Sequence, residues 1–171
     1  MIRRFTFTIS ALVLALWAAA LPLAAAPPAG QPVDRIHCDQ MESNVFHIHA
    51  HLSIRAKNKA VAIPDDVGHS LLQGCLYWVH THTSDGIIHI ESPRAQTFTL
   101  GQFFDVWGQP LSRVQVGPVH AARGETAHIW VNGELYGGDP RKIELHQHTD
   151  IAIQLTPPFK RPPTFTAWNG N

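Results

Sequence analysis

Sulfur is scarce in this chain, and so is charge. Only Met41 follows the N-terminal methionine, which argues against a thioether-based Cu(I) carrier. Thirteen basic residues balance thirteen acidic ones, and Arg3 and Arg4 lie in the first segment, so no basic surface marks a nucleic-acid partner. Carboxylates near the histidine clusters are few and scattered (Asp39, Glu42, Asp85 and Glu91), too little oxygen for calcium or magnesium. No cysteine follows the N-terminal apolar run closely, which argues against a lipoprotein anchor, and no internal repeat is present. What the chain does have is histidine, twelve residues in all.

Arg3-Arg4, the apolar run from about Phe5 to Leu23 and Ala24-Ala25-Ala26 read as a secretory signal peptide over 1–26, cleaved between about Ala20 and Ala26. An uncleaved anchor is the competing reading. With the leader removed no stable membrane span is expected, and the mature protein is periplasmic or secreted. The two cysteines, Cys38 and Cys75, lie beyond the leader, where an oxidising compartment favours a disulfide between them. A thiolate ligand is the rival, because His37-Cys38 immediately precedes the first histidine cluster.

Residues 27–33 read as a Pro/Ala/Gly linker, 34–160 as one domain, and 161–171 as an extended, peripheral proline-containing tail. Val45 to Arg55 alternates strictly, and Lys57-Asn58-Lys59 turns it into the short run Ala60 to Ile63. Leu76 to Thr83 and Ile87 to Glu91 flank Ser84-Asp85-Gly86 as a second hairpin. Thr99 and Gln102 match a capping box ahead of Phe103, Phe104 and Trp107, which predicts one short helix. Asn132-Gly133 predicts a type I′ hairpin between Ala127–Val131 and Glu134–Tyr136. Two more strands follow, Lys142–Leu145 and Asp150–Leu155. The expected class is β-rich α+β, mainly antiparallel, in a single domain.

Six histidines fall in two clusters, His47, His49 and His51 in one and His80, His82 and His89 in the other. Alternation places the first three on one strand face, with roughly 6.5 to 7 Å between successive Cβ atoms, so that two imidazoles converge on one ion and a neighbouring strand supplies a third. Neutral imidazoles around a borderline ion describe a Cu(II) or Zn(II) site. His49, His51, His80 and His82 are its core ligands, and His47 and His89 are further candidates. Glu91, and less strongly Asp85, would receive the free ring N–H groups. His146-Gln147-His148 is a separate weak site, an added ligand or a polar turn. His69, His120 and His128 read as ordinary surface or hydrogen-bonded residues.

The stretches 46–52, 75–82, 86–93 and 97–104 together resemble an uncharacterised family of exported bacterial histidine-rich proteins with HIHAHL and HTHxxxGIIHIESP-like motifs. The likeness covers most of the mature chain and implies a shared fold, with no known reaction attached. Phe46-His47-Ile48-His49 also resembles the copper-ligand strand of exported copper/zinc superoxide dismutases, without their zinc loop. The short likenesses to α-carbonic anhydrases, metallo-β-lactamases and cupins stop at the H-x-H pair, which is a convergent solution to coordination.

Three functions follow. The first is a transition-metal-binding protein for buffering, delivery or resistance. The second is a small metalloenzyme, hydrolytic, hydratase-like or dismutase-like, with a metal-bound water. The third is a pH-sensing or structural interaction domain, with protein partners unknown.

Overall fold

The computed structural model describes residues 30–168 and 170; the expected signal peptide and residues 27–29 lie outside the described residues. The strictly alternating segment forms the longest strand, β1 (Phe46–Ala56). It belongs to a seven-stranded sheet with β2 (Lys59–Val61), β3 (Val79–His80), β4 (Ile87–Ser92), β5 (His128–Val131), β6 (Glu134–Leu135) and β7 (Thr149–Gln154). The order is β6-β5-β7-β1-β4-β3, and β2 pairs with the end of β1 that β4 leaves free. All pairings are antiparallel except β7 against β1, which is parallel. The fold is β-rich α+β in a single domain, as expected from the patterning. Among the described residues no helix is long and apolar enough to cross a membrane.

Period-two patterning divides the sheet faces. Ala50, Leu52 and Ile54 of β1, Ile88 and Ile90 of β4, Val79 of β3, and Ile151 and Ile153 of β7 enter one apolar core. The helix α1 (Leu100–Trp107) supplies Leu100, Phe103 and Phe104 to that core, each fully buried. Its capping box is formed as expected, Thr99 accepting from the Gln102 N–H and Gln102 Oε1 from the Thr99 N–H. Burying each phenylalanine contributes on the order of 1.5–3 kcal/mol, so the core side is well anchored. The opposite face is thereby free to carry polar chemistry.

Two turns follow their local chemistry. Asn132 and Gly133 both have positive φ in the β5–β6 hairpin, and Lys57 and Asn58 do so between β1 and β2. One expected strand is interrupted. Leu76 to Thr83 breaks at Trp78: Cys75–Tyr77 pairs with Cys38–Asp39 and His69–Ser70 in a small separate sheet, and only Val79–His80 joins the large one. Trp78 is held there by its N–H to His37 O, its O to the Glu91 N–H, and its indole N–H to Asp39 Oδ2. The Cys38–Cys75 disulfide staples the small sheet, so neither sulfur is a thiolate ligand.

Both ends of the domain are drawn in. Val33 is buried and bridges to Ile36, and the Tyr77 hydroxyl donates to Gln31 O. The proline-containing tail folds back over the sheet, where the Phe165 N–H donates to Asp150 Oδ2 and its ring stacks on His51 at 3.6 Å.

Candidate metal centre

Pairing register assembles the centre on the sheet face opposite the core. Across β1, β4 and β3, His49 lies opposite His89 and His89 opposite His80, so three imidazoles from three strands form one transverse row. One step along, His47 lies opposite Glu91. His82 extends the row from the chain just beyond β3. The close approach of this chain depends on Gly68: its φ is +83°, and a Cβ there would sit 2.9 Å from the His80 Cβ and 2.8 Å from Val79 O.

The donors are close. His47 Nε2 is 3.0 Å from His49 Nε2, His49 Nε2 is 3.1 Å from His89 Nδ1, and His80 Nε2 is 3.1 Å from His82 Nε2. Glu91 Oε1 lies 3.1 Å from His47 Nε2, 3.8 Å from His89 Nδ1 and 4.0 Å from His80 Nε2. Tetrahedral bonds of ~2.0–2.1 Å give donor–donor edges of about 3.3–3.4 Å, so these pairs are within a few tenths of an ångström of coordination geometry. Two sets of residues have ligand atoms mutually within 4.8 Å: His80, His82, His89 and Glu91, and His47, His49 and His89.

Burial keeps the rings neutral. The pKa of His80 falls to about 3 because desolvation outweighs the opposing effect of its Tyr77 hydrogen bond, and the neighbouring His82, His89 and His69 add to the fall. His89 falls to about 3 and His49 to about 4 for the same leading reason, and His82 is lowered by burial despite the Glu42 carboxylate 3.4 Å away. Glu91 moves the other way, to about 7, because burial and then the charge of Glu42 penalise its carboxylate.

His80 is the best-defined member. It is fully buried, and its Nδ1 is 2.8 Å from Tyr77 O, a group that only accepts. Nδ1 therefore carries the proton, and in the neutral ring Nε2 is a bare lone pair pointing into the cluster, the arrangement that backbone carbonyls impose on metal-ligating histidines. Glu91 Oε2 and His49 Nδ1 are buried without a hydrogen-bond partner. A buried acceptor left without a donor costs about 1–3 kcal/mol, which a cation beside Glu91 would offset.

The sequence-derived residues do not all converge. His51 stands apart from both sets: its Nδ1 is 2.8 Å from Asp150 Oδ1 and its ring is sandwiched under Phe165, so the tail occupies the face that strand alternation left open. Asp150 stays ionised, the His51 and Phe165 hydrogen bonds outweighing the effect of burial. Asp85 is also elsewhere in role. Its Oδ1 accepts the Ile87 N–H and serves the turn, and among the described residues it makes no hydrogen bond to a ring. Glu91 is more than an acceptor for ring N–H groups, since it sits among the donors themselves.

One neighbour was not legible as part of the site. His69 donates from Nε2 to Thr81 O and stands 5.6 Å from the His82 ring, yet its sequence context is an isolated histidine. Gln147 Oε1 accepts the His49 N–H and the His148 N–H donates to His49 O, so the 146–148 stretch is a turn that braces β1. Glu42 pairs with His82 from a loop. By contrast, His120 is exposed, and His128 stacks on Phe159 away from the cluster. Comparison with protein-family models, with curated proteins and with solved structures gives no match.

Proposed function

We propose that this chain is an exported transition-metal-binding protein that takes Cu(II) or Zn(II) at His80, His82, His89 and Glu91, for buffering, delivery or resistance. The observation that carries this reading is the His80 imidazole, fully buried with its proton committed to Tyr77 O and its lone pair directed at His82 and Glu91. Three nitrogens and one carboxylate oxygen suit a borderline ion. The leader-like N-terminal sequence, the likeness to exported histidine-rich proteins and the disulfide support export.

Elemental analysis of the untagged protein purified from its native compartment, followed by Zn(II) and Cu(II) titration, tests the proposal. Near-stoichiometric metal that is lost in His80→Ala is the expected result. Absence of tight metal under every condition would overturn it.

A second reading, a hydrolytic or hydratase-like metalloenzyme, draws on Glu91. With an ion held by the histidines, Glu91 Oε1, within 4.0 Å of His47, His80 and His89 nitrogens, would be in reach of a metal-bound water as a general base. Ester hydrolysis and CO2 hydration by the metal-loaded protein, compared with Glu91→Gln, test it; turnover no faster than the free ion would dismiss it.

A further inference from the structure

We propose that the sheet face holds two transition-metal ions side by side, the second on His47, His49 and His89, with His89 between them presenting one ring nitrogen to each. This rests on the metal-binding reading above and extends it to a second site.

The donors fall into two sets with His89 in both, adjoining where Glu91 Oε1 of the first lies 3.1 Å from His47 Nε2 of the second. Ligands on opposite sides of one ion with bonds of ~2.1 Å are about 4.2 Å apart, so donors that do not form a single group even within 4.8 Å cannot surround one ion. Register explains the division. His49, His89 and His80 stand on three successive strands, and adjacent strands are spaced about 4.7–4.9 Å apart. Three imidazoles in a row leave two gaps, one between β1 and β4 and one between β4 and β3, and the central imidazole borders both.

Ring geometry agrees with this. His89 meets His49 edge-on at 4.6 Å, with Nδ1 turned to His49 Nε2, and meets His82 at 4.5 Å and 75°. His47 closes the first gap from the rim, and His82 closes the second. A neutral imidazole has one lone pair. Coordination at both nitrogens therefore requires His89 to release its ring proton to solvent, and the resulting imidazolate, together with Glu91, offsets part of the charge of two dications. Each ion forms bonds to nitrogen or oxygen lone pairs and no electron is transferred.

Native mass spectrometry and calorimetric titration of the disulfide-bonded protein with Zn(II) test the proposal. Wild type is expected to take two ions. His47→Ala and His82→Ala, both at the exposed rim and so tolerable to the fold, are each expected to weaken one ion by at least roughly tenfold and leave the other bound, while His89→Ala weakens both. With Cu(II), two ions joined through an imidazolate couple magnetically, so the expected electron paramagnetic resonance signal is far below that of two isolated ions and is restored in His89→Ala loaded with copper. A single ion in wild type overturns the two-ion proposal and leaves the metal-binding reading intact. Two ions that both survive His89→Ala unchanged, or two uncoupled Cu(II) signals, overturn the shared histidine. No bound ion at all overturns both readings.

Discussion

His49 and His89 face each other across the β1–β4 ladder, His49 Nε2 3.1 Å from His89 Nδ1. Two residues forty positions apart thus become adjacent donors through one strand register. A slip of a single residue would turn every imidazole of β1 into the core. The histidine cluster and the hydrophobic core are specified by the same pairing.

His51→Ala should retain the metal stoichiometry of the wild type, because His51 pairs with Asp150 under Phe165 and belongs to neither donor set. The substitution should still destabilise the fold, by about 1–3 kcal/mol, by leaving a buried carboxylate with one partner fewer. Metal titration alongside urea denaturation checks this; loss of a bound ion would return His51 to the ligand set.

Gly68→Ala should weaken metal binding without touching a ligand. The added methyl meets the His80 Cβ and Val79 O at a positive φ, so His80 must shift or the loop must open. Isothermal titration gives the answer, and affinity equal to wild type would show that His80 is not held in place from this side.

Acid should destabilise the metal-free protein well above the pH at which ordinary carboxylates titrate. His80 has a folded pKa of about 3 against 6.5 for the free side chain, so its contribution is complete above pH 6.5 and is lost as pH falls towards 3, with a slope of up to about 1.4 kcal/mol per pH unit. His49 and His89 act in the same direction. Glu91, raised from 4.5 to about 7, opposes them: the folded protein keeps a proton there that the unfolded chain has lost, so its contribution is lost as pH rises through that window. Three histidines against one glutamate give a net fall in urea midpoint as pH drops from 6.5 to 4.5, and Glu91→Gln should steepen it. A flat midpoint over that range would contradict the burial of these rings.

Ellman titration of the native oxidised protein should find no free thiol, and two after denaturation and reduction. Opening the bridge frees a loop with a sequence separation of 37, for which chain entropy corresponds to about 4 kcal/mol. A reduced protein with an unchanged melting temperature would show that the small sheet does not need it.

Local chemistry was legible because its signals are local. Thr99 and Gln102 announced α1, Asn132-Gly133 announced the β5–β6 turn, and the alternation of Phe46 to Ile54 separated core from histidine face. The break at Trp78 was not legible. A run of strand-forming residues carries no mark for which sheet each half will join, and here the disulfide and the Asp39 and His37 contacts decide it. His69 was likewise invisible as a neighbour of the cluster, since nothing in its own segment points to a partner elsewhere in the chain.

The sequence by itself determined that this chain is a β-rich domain with imidazoles sharing strand faces, because side-chain alternation and turn preference are properties of a few consecutive residues. Only tertiary structure decided which of those imidazoles meet. The row His49, His89, His80 comes from register between strands, the removal of His51 from a tail that folds back onto it, and the neutral rings from burial, all of which depend on residues distant in the chain.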